Sequence, residues 1–195
     1  MSLDADAPPI ETASPRVRKS RKRAFTEWII IVVAAVLASL FLRTFVFQTF
    51  SIPSRSMKPT LYVGNRVVVD KLSVTFGTIN IGDIMVFKAP ADVTKDCGDA
   101  VTDLVKRVIG LPGDQLTSKG NTIYVNGKPL KEAWSHYEPL GNPIGHVTVS
   151  ANHYFMMGDN HANSCDSRYW GTVPRSDMIG KVFLKFWPLG QWHWF

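Results

Sequence analysis

An uncharged apolar run that directly follows a basic cluster constrains this chain more than any other feature of its sequence. The run covers residues 28–42, and residues 16–23 before it hold six Lys or Arg and no acid. As a helix, residues 28–47 would be about 30 Å long, which is enough to cross a bilayer core. A buried core helix is disfavoured because the run has no polar face and the basic cluster adjoins it. The sequence therefore predicts a membrane anchor.

The flanks of the run indicate how the anchor is used. Val36-Leu37-Ala38 resembles the cleavage site of a secretory signal peptide, but it lies inside the run rather than after it. An uncleaved anchor is therefore favoured over the alternative of a cleaved signal peptide. The positive-inside rule places residues 1–27 in the cytoplasm and the chain after about residue 48 outside. Acidic residues in the tail, such as Asp4 and Glu11, argue against an organelle transit peptide and favour a bacterial plasma membrane.

Composition narrows the class of protein further. The net charge of +6 depends largely on the basic cluster, which we interpret as a topology signal, so we expect no nucleic-acid partner. A hydrophobic content of 45% is that of a globular chain, neither polytopic nor disordered. Two cysteines are too few for a disulfide-built scaffold, and no C-x-x-C spacing occurs. The cysteine spacing therefore gives no indication of a metal site.

Short β-rich segments make up the rest of the chain, bounded by Gly, Pro or Asn. Asn126-Gly127 is a tight-turn signal, and we find neither a helical-period stretch of twelve residues nor an internal repeat. We predict a mostly β protein, an antiparallel β domain on a single N-terminal transmembrane helix. The expected divisions are a cytoplasmic tail over residues 1–25, an anchor over 26–48 and a β domain over 49–195. The clearest strand candidates are residues 66–70, 84–87, 104–109 and 122–125.

The first segment that could carry catalytic residues is residues 51–61. Pro53 and Pro59 bracket Ser54 and Ser56, so these serines are held in a stiff loop. A serine nucleophile needs a base to accept its proton and donors to stabilise an oxyanion. On this segment alone, a Ser/Pro-rich linker explains the sequence equally well.

The second segment contains a lysine on an apolar strand face. Side chains alternate along a strand, so Lys106 shares a face with Leu104 and Val108. Desolvation lowers the pKa of a lysine, and a neutral amine can act as a general base. The alternative is an edge-strand lysine with its amine in water. On the opposite face, we expect Arg107 to be solvated or salt-bridged.

The third segment, residues 154–168, is a polar, turn-rich stretch that directly follows an apolar strand. Loops of this kind on a β scaffold often carry function. The alternative is a loop of Asx turns that satisfies its own backbone.

The three segments together resemble type I signal peptidase. They read Ser-x-Ser-Met-x-Pro-Thr from residue 54, Lys-Arg-x-x-Gly-x-Pro-Gly-Asp from residue 106, and Gly-Asp-Asn-x-x-x-Ser-x-Asp-Ser-Arg from residue 158. Their order after an N-terminal anchor also matches, and the resemblance runs as far as residue 189. It implies a serine endopeptidase with a Ser/Lys dyad, which removes signal peptides from exported preproteins after small residues at the −1 and −3 positions and needs no cofactor or metal.

The resemblance also implies roles for individual residues. Ser56 matches the nucleophile and Lys106 the general base. Ser54 matches the serine that joins the Ser56 backbone amide in the oxyanion hole, and Ser164 matches the serine that orients the lysine. The remaining matches are Asp159, Asp166 and Arg168, which support the site, and Ile52, Pro53, Met57 and Val105, which line pockets for small side chains.

The expected setting follows from the same resemblance. The partners are the signal peptides of exported preproteins and the lipid bilayer, with the protein-export machinery as a further candidate. We expect a single-pass protein of the bacterial plasma membrane, with its catalytic domain outside. Cys97 and Cys165 would lie on that side, where disulfides persist, so a bridge is favoured over two free thiols. His161 departs from the family, which usually has Arg there.

Two alternatives of other classes remain open. A Ser-His-Asp hydrolase would use His161 or His153 as its base, although no G-x-S-x-G occurs. A catalytically inactive, membrane-tethered binding module would need no reactive serine. A penicillin-binding protein is disfavoured because the chain contains no S-x-x-K, and a self-cleaving repressor is disfavoured by the anchor.

Overall fold

A computed structural model describes residues 21–91, 93, 97, 101–135 and 139–195. The chain divides into two compact units, Met1–Leu40 and Phe41–Phe195. Positions 1–20 of the expected tail lie outside the described residues.

The apolar run forms a helix. Helix α1 is Arg21–Phe41, and a π-helical turn over Leu42–Val46 follows it. Within the described residues, Phe25–Val46 is the one helical stretch long and apolar enough to cross a membrane, with a mean hydropathy of 2.6 and none of its hydropathy window buried. Phe47, which the sequence placed at the end of the helix, instead begins a strand.

The Phe41–Phe195 unit is mostly β, as predicted, and two of its helices, α2 (Leu72–Thr75) and α3 (Ser167–Trp170), have four residues each. All four strand candidates are confirmed. The strands in chain order are β1 (Phe47–Ser51), β2 (Arg66–Asp70), β3 (Ile84–Lys88), β4 (Asp103–Gly110), β5 (Gln115–Lys119), β6 (Thr122–Val125), β7 (Lys128–Pro129), β8 (Val147–Thr148), β9 (His153–Met157), β10 (Val173–Pro174), β11 (Met178–Trp187) and β12 (His193–Trp194).

In the part of the chain that the structure describes, these strands form two antiparallel sheets. The larger has the order β1-β2-β11-β3-β4-β9-β10, with β12 also paired to β11. The smaller has the order β7-β6-β5-β8. Asn126 and Gly127 join β6 to β7 with φ angles of 52° and 76°, and this left-handed backbone is what a tight Asn-Gly hairpin turn requires. A shared apolar cluster, which includes Ile109, Leu116 and Phe155, packs the two sheets together.

Strand β4 is paired differently along its two edges. One edge pairs with β3 from Asp103 to Arg107. On the other edge, β9 pairs with β4 at Arg107, Val108 and Gly110. The segment from Asp103 to Val105 therefore keeps one edge without a strand partner among the described residues, and an open strand edge can accept another chain.

Candidate active site

The loop after β1 places Ser56. Ile52 pins its start, because its N–H donates to the Asn65 carbonyl and its own carbonyl accepts from Gly64, both at 2.9 Å. The Ser56 side chain is buried, and its Oγ lies 3.1 Å from Oγ of Ser54. The two serines are thus held together in a closed loop rather than in an extended linker.

Lys106 lies in the middle of β4 and is only 3% exposed. It pairs across the sheet with Met85, which belongs to the same apolar cluster as Val108, with Leu104 packed against it. The predicted apolar face is confirmed, and the alternative of a lysine with its amine in water is wrong. Because burial removes water from an ammonium, this environment favours the neutral amine.

Ser56 and Lys106 line the same cleft, whose volume is about 440 Å³. All four residues that the sequence assigned to substrate pockets line this cleft as well: Ile52, Pro53, Met57 and Val105. Ser54 is also part of the lining. Residues 51–57 and β4 are far apart in the chain, so folding alone brings the predicted nucleophile, base and pockets together.

Gly158 allows the loop that follows β9, residues 158–166 (the β9 loop), to approach Ser56. A Cβ at this position would collide with the Ser56 carbonyl oxygen and with the Ser164 side chain. Ser164 is buried within this loop, but its Oγ has no hydrogen-bond partner among the described residues. The structure therefore brings Ser164 to the site without showing the hydrogen bond to the lysine amine that the resemblance implied.

Asp166 and Arg168 form a fully buried ion pair that supports this loop. Arg168 Nε and Nη2 each donate to the Asp166 carboxylate at 2.8 Å, and the same carboxylate accepts from the Gly158 N–H at 3.2 Å. Arg168 also donates to the carbonyl oxygens of His161 and Ser164. The pair therefore holds both ends of the loop.

Arg107 forms a second buried ion pair, with Asp159. Its Nε and Nη2 donate to the two carboxylate oxygens at 2.7 and 2.6 Å, and its Nη1 donates to the Gly82 carbonyl at 2.6 Å. The Thr60 hydroxyl donates to the same carboxylate. The salt-bridged alternative for Arg107 is right and the solvated one is wrong, since the residue is 6% exposed. Sequence reasoning missed the central position of Arg107 and Thr60, although both lie within the quoted motifs.

Asn160 connects the β9 loop to Ser56, and sequence reasoning also missed this contact. Its N–H donates to the Ser56 carbonyl at 2.9 Å, and its Nδ2 donates to the Arg55 carbonyl at 3.2 Å. Among the described residues, no backbone carbonyl accepts from the Ser56 N–H. That N–H can therefore serve as a donor to a bound oxyanion. The signal that could have found Asn160 is its place in the Gly-Asp-Asn motif.

The two histidines considered as bases lie elsewhere. His161 is 5% exposed, and its Nε2 lies 3.2 Å from Oε1 of Glu132. His153 places Nδ1 2.9 Å from the Ala151 carbonyl oxygen. In the described part of the chain, neither histidine lines the cleft that holds Ser56. The arrangement gives no support to a Ser-His-Asp triad.

The two cysteines are joined by a disulfide, with their Cα atoms 6.0 Å apart. Cys97 and Cys165 both line the cleft. The bond therefore links the segment after β3 to the β9 loop, next to Ser164. The described residues contain no group of three or more His, Cys, Asp or Glu side chains placed to hold a metal ion.

An antiparallel β domain whose cleft holds a buried serine and a buried lysine is compatible with a hydrolase of the serine type. A family model described as signal peptidase, peptidase S26, matches residues 25–187, and the chain therefore belongs to the signal peptidase family.

Two relatives with similar sequences agree with this membership. A signal peptidase I of Leptolyngbya laminosa is 36% identical over 195 residues, which covers 98% of this chain and 95% of the relative. A signal peptidase I of Bacillus caldolyticus is 36% identical and covers 89% of this chain and 96% of the relative. A crystal structure of a signal peptidase I from Enterococcus faecalis is 28% identical, with a TM-score of 0.44, and covers 53% of this chain and 96% of that one.

Proposed function

We propose that this chain is a membrane-bound endopeptidase that removes signal peptides from exported preproteins, with Ser56 as the nucleophile and Lys106 as the general base. One observation carries the proposal. Ser56, Lys106 and all four residues assigned to the substrate pockets line one cleft. Membership of the signal peptidase family supports the substrate class.

In the first step, Ser56 Oγ attacks the scissile carbonyl carbon while the neutral Lys106 amine accepts the hydroxyl proton. The peptide C–N bond then breaks, and Lys106 returns the proton to the departing amine. The signal peptide is left as an ester on Ser56. Burial of Lys106 favours this chemistry, since a protonated amine has no lone pair to accept the proton.

In the second step, water hydrolyses the ester. Lys106 accepts a proton from the attacking water, and the Ser56 oxygen leaves as the alcohol once it has regained that proton. The signal peptide departs with a free carboxylate. The same amine therefore serves both steps, and neither step requires a metal or a cofactor.

The oxyanion that forms in each step needs hydrogen-bond donors to stabilise it. The Ser56 N–H is directed to no backbone carbonyl among the described residues, and the Ser54 hydroxyl lies 3.1 Å from the nucleophilic oxygen. We assign both groups to the oxyanion hole. Hydrogen bonds of this kind stabilise the charge that develops in the transition state more than they stabilise the substrate.

The open edge of β4 supplies a place for the substrate backbone. Residues 103–105 lead to Lys106, line the cleft and lack a strand partner on one side. An extended peptide can add to such an edge through main-chain hydrogen bonds. Specificity then depends on alternate side chains, which would contact Ile52, Met57 and Val105. Ile52 and Met57 are themselves buried, so the pockets are shallow and favour small residues at −1 and −3.

The proposal also covers the membrane topology of the chain and its location in the cell. We assign residues 1–25 to the cytoplasm, 26–46 to the anchor, and 47–195 to a catalytic domain outside the bacterial plasma membrane. Exposed aromatic residues near the end of the chain, such as Trp192 and Trp194 (59% and 65% exposed), suit contact with the bilayer interface. Preproteins emerging from the export machinery would be cut at this surface.

The decisive experiment incubates the solubilised full chain with a preprotein that carries Ala at −1 and −3. Cleavage is compared among the wild type, Ser56→Ala and Lys106→Met. Both variants should lose cleavage by about 10³-fold or more, because each removes a group on which the whole reaction depends. The matched controls are Ser150→Ala and Lys128→Met, whose side chains are exposed and lie outside the cleft.

Retention of wild-type activity by Lys106→Met would refute the dyad. If His161→Ala instead abolished cleavage while Lys106→Ala did not, the triad alternative would replace it. If the wild type cut nothing and a serine-acylating lipopeptide failed to label Ser56, the chain would be a tethered binding module.

A further inference from the structure

The segment that leaves the smaller sheet contacts the β9 loop (residues 158–166) at two points and Arg107 of β4 at a third. Residues 132–135 follow β7 and precede the described segment that begins at residue 139. Glu132 contacts His161, the Trp134 ring centroid lies 4.6 Å from the Arg107 guanidinium carbon, and the Ser135 hydroxyl donates to the Asp159 carbonyl at 3.1 Å. The smaller sheet is therefore coupled to the residues that surround the dyad.

The contact between Glu132 and His161 joins two largely buried side chains. The two side chains are 12% and 4% exposed, and Oε1 and Nε2 lie 3.2 Å apart. Both atoms are buried, and neither forms a hydrogen bond in the described part of the chain, so the 3.2 Å approach of the two atoms is their polar contact. A buried polar atom without a partner is costly, so each side chain depends on this contact.

His161 directly follows Asn160, which supports the backbone of Ser56. The preceding residue, Asn160, donates its N–H to the Ser56 carbonyl and its side-chain amide to the Arg55 carbonyl. The His161 carbonyl accepts from Arg168, so the backbone here is held on one side while Glu132 holds the side chain. A displacement of His161 would shift Asn160 and, through it, the backbone of Ser56.

We propose that Glu132 and His161 are positioning residues for catalysis, which fix the Ser56 backbone through Asn160. The inference rests on the proposed role of Ser56 as nucleophile. His161 Nε2 faces the Glu132 carboxylate at 3.2 Å, so the contact that links the two side chains is polar and buried.

The test separates positioning from folding by a double substitution. Glu132→Met and His161→Met each leave the other group buried and unpaired, whereas the double variant leaves neither group unpaired. For all three, kcat and KM are measured on the preprotein with Ala at −1 and −3, together with the midpoint of thermal unfolding. His161→Arg and Glu132→Gln test rescue, because each keeps a polar contact. His193→Gln and Asp177→Asn are matched controls outside the cleft.

Each single Met variant should unfold at a lower temperature and lose about tenfold in kcat, with little change in KM, which is the size of effect expected from one buried polar contact. The double variant should recover the unfolding temperature but keep the loss in kcat. His161→Arg and Glu132→Gln should stay within about threefold of the wild-type kcat.

Recovery of kcat together with stability in the double variant would show that the pair is merely structural and would overturn the inference. Unchanged kcat in the single variants, or a loss confined to KM, would do the same. If the single variants fail to fold, the double variant and His161→Arg decide between these outcomes. Ser56→Ala serves as the reference: if it cleaves as well as the wild type, the proposed function fails, and this inference fails with it.

Discussion

Arg107 binds Asp159 through two parallel hydrogen bonds of 2.7 and 2.6 Å, and both residues are buried. Arg107 adjoins Lys106 in β4, and Asp159 adjoins Asn160, which donates to the Ser56 carbonyl. A single ion pair therefore connects β4, which carries the proposed base Lys106, with the β9 loop, which hydrogen-bonds to the backbone of the proposed nucleophile Ser56. Its charges do not touch the cleft, so its effect on catalysis is one of position.

Breaking this pair should destabilise the protein strongly. We expect Asp159→Asn to cost about 3–5 kcal/mol in the free energy of unfolding, because it leaves a buried guanidinium without its counter-charge. Arg107→Lys should also be costly, since an ammonium cannot form the two parallel bonds. Denaturant titration measures both values. Lys181→Met provides the control, because its pair with Asp83 is partly exposed and should contribute less than about 1 kcal/mol. Equal losses in the three variants would contradict the buried network.

Cleavage should become faster as the pH rises. The base must be a neutral amine, and raising the pH removes the proton from Lys106, so the active fraction increases. We expect kcat/KM to rise about tenfold per pH unit on the acidic side and then to reach a plateau. A series of kcat/KM values on one peptide, with folding followed by circular dichroism, tests this. A profile that stayed flat while the protein remained folded would be incompatible with a lysine base.

Ser54→Ala should lower kcat by about 10²-fold with little change in KM, because loss of one oxyanion donor affects the transition state more than the bound substrate. Ser54→Thr keeps a hydroxyl at the same position and should retain most of the activity. Steady-state kinetics on the preprotein peptide distinguish the two variants. If Ser54→Ala raised KM alone, Ser54 would belong to substrate binding rather than to the oxyanion hole.

The disulfide should stabilise the domain. Cys97 and Cys165 are 68 residues apart, and a cross-link of this kind contributes about 2–4 kcal/mol by restricting the unfolded chain. The double variant Cys97→Ser/Cys165→Ser should therefore unfold at a lower denaturant concentration. Mass spectrometry should show alkylation of both thiols only after reduction. Alkylation of the untreated protein would show that the bridge is not formed.

Much of the architecture could be predicted from local sequence. The strand at residues 66–70 and the one at 122–125 were predicted with their observed bounds, because β-branched residues between turn formers indicate a strand without reference to the rest of the chain. Asn126-Gly127 has the left-handed backbone that its side chains tolerate. Alternation along one strand also predicted the apolar face on which Lys106 lies.

The supporting contacts could not be predicted in this way. Glu132, Thr60 and Asn160 are polar residues in loops, and such residues are usually solvated. Their roles arise from partners that are 29, 99 and 104 positions away in the chain, namely His161, Asp159 and Ser56. Nothing in a local pattern specifies which distant carboxylate or carbonyl will meet them.

The sequence by itself determined the class of this protein: an apolar helix behind a basic cluster, a series of short strands, and three motifs with a serine and a lysine in the expected order. Only the tertiary structure decided that Ser56 and Lys106 share a cleft, that Arg107 is buried rather than solvated, and that His161 turns to Glu132. The physical reason is the distance along the chain over which the interactions act. Strand alternation and turn preference act between neighbouring residues, whereas burial and ion pairing depend on segments that meet only when the sheets close.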